Sequence, residues 1–230
     1  MTPELRRGVL RRFVQLLVQR ILEGAVLFGV AGTVRWTGAW LYLGINALLI
    51  AANGAYLLPR NPEVIVERGK RHEGTKAFDK VVFVFAMLFY VAQLVVAALD
   101  AARFHWAPLA PWWAGVGFAL MALGMIPVAG AMAVNRNLEP TVRIQTERGH
   151  EVATTGPYRW VRHPMYAGML LSYPGAALVL GSAWALVPAA LASATLVVRT
   201  ALEDRTLLRE LPGYEAYAKK TRHRLVPGIW

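Results

Sequence analysis

The strongest constraint on how this chain can fold is an alternation. Long apolar runs are separated by short segments that hold nearly all of the basic charge. Apolar spans cover residues 16–34, 36–58, 81–99 and 112–134, each close to the length needed to cross about 30 Å of hydrocarbon. The stretch 164–198 is too long for one ordinary crossing, and Gly181-Ser182 near its middle divides it into a helical hairpin. Six spans result. The expected fold is all-α: a polytopic membrane helix bundle of about six transmembrane helices, ending in a cytoplasmic C-terminal helical segment.

Loop charge supports this count. The N-terminal segment holds Arg6, Arg7, Arg11 and Arg12. Residues 59–80 hold Arg60, Arg68, Lys70, Arg71, Lys76 and Lys80. Residues 135–163 hold Arg136, Arg143, Arg148, Arg159 and Arg162, and the tail holds Arg205, Arg209, Lys219, Lys220, Arg222 and Arg224. The opposite side receives only Arg35 and Arg103. Six crossings bring every basic segment to one side, which the positive-inside rule makes cytoplasmic, with both termini inside. The formal charge of +11 then reads as a lipid-facing basic surface, and no nucleic-acid module accompanies it. The expected location is the cytoplasmic (inner) membrane or an endomembrane. The first span reads as an uncleaved anchor, because no small-residue cleavage site follows it and Glu23 interrupts it.

Several chemistries are excluded. The chain has no cysteine, so disulfides, thiolate metal ligands and a cysteine nucleophile are absent. His72, His105, His150, His163 and His223 are scattered without metal-ligand spacing. Neither a Walker loop nor a Gly-x-Gly-x-x-Gly turn is present, so any nucleotide-like cofactor needs a different kind of site. Within the spans, Asn46, Asn53 and Gln93 read as interhelical hydrogen-bonding residues. Pro127, Pro174 and Pro188 read as kinks. Arg20 and Glu23 read as a local pair or interfacial residues. Trp36, Trp40, Trp106, Trp112 and Trp113 read as outer-interface aromatics.

Two basic-side segments carry the candidate chemistry. In the first, Gly156-Pro157 makes a turn before Tyr158, and Pro164 suits the first turn of span five. Arg162 and His163 then sit at the mouth of a membrane helix. Free backbone N–H groups, the helix dipole and the Arg162 charge would favour an anion there, with Tyr158, Trp160 and Tyr166 offering ring surface. The alternative is contact with lipid headgroups. In the second segment, Glu203-Asp204 follows Arg199 out of span six. Glu203 could hold an ammonium or ribose hydroxyls, or pair with Arg199 one turn away. Pro212-Gly213 ends that helix, and Tyr214 and Tyr217 begin a short one.

At these residues the chain resembles the isoprenylcysteine carboxyl methyltransferase and phospholipid methyltransferase superfamily of membrane enzymes. The likeness runs through Gly156-Pro157-Tyr158-Arg159, Arg162-His163-Pro164-Met165-Tyr166-Ala167-Gly168, then Glu203-Asp204, Leu211-Pro212-Gly213-Tyr214 and Tyr217, with His150-Glu151-Val152 leading in. It covers 112–230. It implies S-adenosylmethionine as cofactor, held by His150, Tyr158, Arg162, His163, Tyr166, Gly168, Glu203 and Asp204. It implies catalytic roles for Arg199, Glu203 and His163, with Arg199 orienting an acidic acceptor. No metal is implied. The expected partners are membrane lipid and a lipophilic small-molecule or lipid-linked acceptor carrying a carboxylate, amine or thiol. Two organisational units follow: 1–110 with spans one to three, and 111–230 as the catalytic core. A sterol-reductase-type NADPH enzyme carries a similar Arg-His-Pro-x-Tyr string, but the Gly-Pro-Tyr lead-in and the acidic pair favour the methyltransferase branch. A non-catalytic scaffold or transporter would carry its polar residues through the bilayer midplane.

Overall fold

In a computed structural model, residues 1–70 and 73–230 are described; Arg71 and His72, counted above among the loop cations and histidines, lie outside the described residues. The chain forms α1 (Pro3–Ala31), α2 (Thr37–Leu57), the short α3 (Pro62–Glu67), α4 (Ala77–Ala97), α5 (Trp113–Val134), α6 (Pro164–Leu180), α7 (Leu186–Glu210) and the short α8 (Tyr214–Lys220). Five of these helices are long and apolar enough to cross a membrane. The sixth, α6, has 17 residues and reaches about 26 Å at 1.5 Å per residue. Each expected span coincides with one helix of this integral membrane bundle, and the hairpin turns at Gly181, whose φ of 75° lies in the left-handed region.

Some boundaries differ from the sequence reading. α1 begins at Pro3, with Thr2 accepting a hydrogen bond from the Leu5 N–H at 3.3 Å, so Arg6 to Arg12 lie on helix. Pro188 falls in the first turn of α7 and interrupts nothing, whereas Pro127 and Pro174 do lie inside helices. Trp36 is buried in the core rather than displayed at an interface. Gln93 donates to the Tyr173 carbonyl at 2.8 Å and ties α4 to α6. Asn46 bonds within its own helix, to the Tyr42 carbonyl, and Asn53 reaches Met132 of α5. Glu23 is buried and accepts from Arg20, Gln19 and Tyr90.

The bundle is assembled by close backbone approach. α5 and α6 run antiparallel, and Gly117 faces Gly175 while Gly124 faces Gly168. A Cβ at Gly117 would sit 2.5 Å from the Gly175 carbonyl oxygen, and one at Gly124 would sit 2.5 Å from that of Gly168. In hydrocarbon such small-residue contacts replace the hydrophobic driving force that water would supply. At the end opposite the basic segments, the fully buried Asp100 accepts from Ser182 Oγ at 2.6 Å and from the Ala107 N–H at 2.6 Å, pinning the α6–α7 turn. Phe13, Leu48, Val84 and Ile126 are exposed outward, as lipid contact requires.

The basic segments gather at the other end. Gln15 donates to the Gly69 carbonyl at 3.0 Å, the Lys76 N–H donates to the Val142 carbonyl at 3.0 Å, and Lys76 pairs with Glu210 at 2.7 Å. The irregular segment between α5 and α6 is packed there against α7 and the C-terminal tail.

Candidate active site

The site is built around Asp204, a carboxylate with no solvent exposure. Arg162 meets it with two donors, Nε to Oδ1 at 2.8 Å and Nη2 to Oδ2 at 2.9 Å. Arg224 Nε and Tyr214 Oη each donate at 2.8 Å, and His163 Nε2 lies 3.2 Å away. A buried charge is tolerable when it is paired and hydrogen-bonded this fully. Arg162 also donates from Nη1 to the carbonyls of Thr221 and Arg222, at 2.9 and 2.8 Å. Burial works against the charge on Arg162, but the Asp204 hydrogen bonds and charge outweigh it and hold the guanidinium above its ordinary pKa.

This changes the sequence reading of the α6 mouth. The Arg162 and His163 N–H groups are not open to an anion: they donate to the carbonyls of His223 and Arg224, both at 2.9 Å. Arg162 is not a free cation either. The C-terminal tail occupies these donors, so Arg162 joins α6, α7 and the tail.

Glu203, one residue before Asp204, faces the other way and lines a cleft. Tyr166 Oη donates to Glu203 Oε2 at 2.6 Å, which joins the His-Pro-x-Tyr turn to the acidic stretch 37 residues on. The His163 and Tyr166 rings lie parallel, 4° apart in plane with centroids at 5.8 Å. Arg199 does not pair with Glu203. It binds Asp79 of α4 at 2.7 Å and the Pro140 carbonyl at 2.6 Å, and it lies 5.3 Å from the centroid of the Tyr166 ring.

The cleft holds about 730 Å³ including its open mouth, within the usual size of small-molecule sites. Tyr158 forms one wall. Its Oη accepts from Asn135 at 2.9 Å, its carbonyl accepts from Tyr217 Oη at 2.8 Å, and burial pushes its phenol well above the ordinary value. Positive φ at Gly156 (57°) permits the turn that aims Tyr158 inward. The far wall was not singled out from sequence. Gln145 is buried and exchanges hydrogen bonds with Asn137, while Glu139 takes Arg143 with two donors at 2.7 and 2.8 Å. The signal available was three polar residues, Asn135, Asn137 and Glu139, directly after a membrane span. His150 sits beside them, its Nδ1 accepting from the Gln145 N–H at 3.4 Å, and burial lowers its pKa.

Of the residues singled out from sequence, His150, Tyr158, Arg162, His163, Tyr166 and Glu203 share the cleft wall. Asp204 stands behind the wall as its anchor. Gly168 is turned away from the cleft and packs on Gly124 of α5. Arg199 lies beyond Tyr166 and off the cleft.

The chain matches the phospholipid methyltransferase family over residues 112–212, which takes in both halves of this site. It is 26% identical to a probable protein-S-isoprenylcysteine O-methyltransferase of Oryza sativa subsp. indica, over 81% of this chain and 95% of that protein. It is 26% identical to protein-S-isoprenylcysteine O-methyltransferase B of Arabidopsis thaliana, over 37% of this chain and 41% of the relative. It is 31% identical to the nickel-cobalt-cadmium resistance protein NccN of Alcaligenes xylosoxydans xylosoxydans over 57% of this chain. That match spans 59% of NccN, under two thirds of its length.

Proposed function

Because this chain belongs to the isoprenylcysteine carboxyl methyltransferase and phospholipid methyltransferase superfamily of membrane proteins, we propose that it transfers a methyl group from S-adenosylmethionine to a lipophilic, membrane-associated acceptor. The observation that carries this reading is the 2.6 Å hydrogen bond from Tyr166 to Glu203. It makes one cleft wall from two segments that are distant in sequence.

The cleft chemistry suits the donor. Among the described residues no hydrogen bond reaches Glu203 Oε1, so this carboxylate oxygen is open to an ammonium or to ribose hydroxyls. Asn137 and Gln145 supply amide groups, and Tyr158 and His163 supply ring faces. When bound, the donor supplies a methyl group on a sulfonium that carries its own leaving group. The chain's task is therefore positioning and exclusion of water, and positioning alone can contribute about 7–11 kcal/mol of a barrier.

Glu203 binds the polar end of the donor, and Tyr166 fixes the carboxylate's direction. His163, held by Asp204 and stacked on Tyr166, closes the wall next to the bundle. Arg199, clamped by Asp79, is a positioning residue behind the Tyr166 ring. The acceptor arrives from the bilayer between helices, and the cleft faces the cytoplasm, the side favoured by its basic surroundings.

Membranes containing the protein, incubated with donor labelled on the methyl group, test this reading. Wild-type membranes transfer label into a lipid-extractable product, and Glu203→Ala and His163→Ala abolish transfer while remaining membrane-inserted. Undiminished donor binding in both variants would remove the site assignment.

A further inference from the structure

The turn at 156–161 has two faces. Tyr158 lines the cleft, whereas Pro157, Arg159 and Trp160 line an open groove on the lipid-facing surface. The groove holds about 1550 Å³, mouth included. It is lined by Ile126, Pro127 and Gly130 of α5, by the first residues of α6, and by Leu225 and Pro227 of the tail. Ile126 is 66% exposed and Trp160 70% exposed, so hydrocarbon rather than protein covers this face.

The charge at this groove has one sign. Arg159 lines it, and Arg60 lies over the ring of Tyr56, another lining residue, at 4.0 Å. Both arginines are exposed, and neither has an ion pair among the described residues. At the same end of the bundle Arg143, Arg162, Arg199 and Arg224 are each held by a carboxylate. Among the described residues no Asp or Glu lines the groove. A free guanidinium matches a phosphate with two parallel donors. An indole such as Trp160 is at home where hydrocarbon gives way to headgroups. A convex helix face offers lipid only dispersion contacts, but here a concave apolar surface, an unpaired cation and an indole coincide.

We propose that this groove holds an anionic phospholipid of the leaflet at the basic end, its phosphate on Arg159 and an acyl chain along α5, and that this lipid braces the cleft wall without itself being methylated. The binding site stands on the groove alone; its effect on the cleft rests on the methyl-transfer reading. Bracing follows from shared packing. Leu225 of the groove belongs to the same buried apolar cluster as Tyr158, Tyr214 and Tyr217. A Cβ at Gly130 would meet Pro157 Cγ at 3.3 Å, so α5 touches the turn directly. A chain that fills the groove therefore presses on the elements that hold Tyr158, and close-packed interiors transmit such contacts. A zwitterionic lipid offers the same phosphate but carries an ammonium that opposes the two arginines, so charge selects the anionic head.

The experiment places the full chain in nanodiscs of phosphatidylcholine and phosphatidylglycerol in equal amounts, and reads the lipid retained on the released protein by native mass spectrometry. Wild type should retain phosphatidylglycerol at least fivefold over phosphatidylcholine. Arg159→Gln should bring that preference below twofold, and Arg159→Lys should keep part of it. Arg6→Gln, which removes the same charge from α1, should leave it intact. The second reading is affinity for S-adenosylhomocysteine, the demethylated donor. It should be at least threefold tighter in mixed discs than in phosphatidylcholine alone, and Arg159→Gln should remove the difference. If Arg159→Gln fails to fold, the two wild-type readings decide. No headgroup preference, or an equal loss in Arg6→Gln and Arg159→Gln, overturns the site. Selective retention with the same donor affinity in both discs overturns the bracing role, and a methylated phosphatidylglycerol would make the lipid a substrate instead. A wild-type protein that binds no S-adenosylhomocysteine in either disc overturns the methyl-transfer reading and the bracing with it, while retention still decides the site.

Discussion

Glu203 and Asp204 are chain neighbours with opposite jobs, because successive helical residues point about 100° apart. Asp204 points into the protein, where Arg162, Arg224 and Tyr214 use both of its oxygens. Asp204→Ala leaves the buried Arg162 guanidinium without its carboxylate and should destabilise by about 3–5 kcal/mol, read as a large fall in thermal midpoint in detergent. Glu203 points into the cleft, so Glu203→Gln should keep the stability within about 0.5 kcal/mol of wild type and weaken S-adenosylhomocysteine binding at least tenfold. A shared loss of stability would contradict this division. His150 adds a pH dependence. Burial holds its folded-state pKa below the ordinary 6.5, so on acidification the unfolded chain takes up a proton that the folded chain resists. The stability linked to His150 is complete above about pH 6.5 and declines as pH falls from there through the lowered folded value. Thermal midpoints at pH 5.0 and 7.5 should show this slope, and His150→Gln should flatten it.

Among the elements, the α5–α6 pair and the C-terminal tail decide whether the cleft exists. Gly168 and Gly124 bring two helix backbones into contact four residues beyond Pro164, where the site begins. Gly124→Ala and Gly168→Ala each force the helices apart, at a cost of at least about 1–3 kcal/mol, and should lower donor affinity although neither side chain lines the cleft. The tail acts from the other side. Its carbonyls at Thr221, Arg222, His223 and Arg224 receive the donors of Arg162 and His163. Deleting residues 222–230 should abolish donor binding while the helices remain inserted, as judged by carbonate extraction and protease protection. Full donor affinity in the truncated protein would show that the tail is dispensable.

Taken whole, the molecule is a bundle with one polar end and one nearly neutral end. The absence of cysteine makes its orientation directly measurable. Single cysteines at Thr2 and Ile229 should react with an impermeant maleimide only after the cytoplasmic face is exposed, and one at Ala110 only from the opposite face. Labelling of Thr2→Cys and Ile229→Cys from opposite faces would exclude an even number of crossings.

The sequence by itself determined the bundle, its hairpin and the end at which its polar segments gather, because each depends on local signals. Apolar length marks the helices, Gly181 and Gly213 mark ends that need positive φ, and the grouping of Arg and Lys marks one end of the molecule. It also isolated the two segments whose meeting makes the cleft. Only the tertiary structure decided what those residues touch. Arg162 is consumed by Asp204 and the tail, Arg199 by Asp79 from 120 residues away, and Gly168 by a neighbouring backbone, while Arg68 has no ion pair among the described residues and keeps a buried Nη1 without a hydrogen-bond partner. A charged side chain is read alike from sequence whether it is satisfied or not. Its free energy is set by the partners that the chain path brings within about 3 Å.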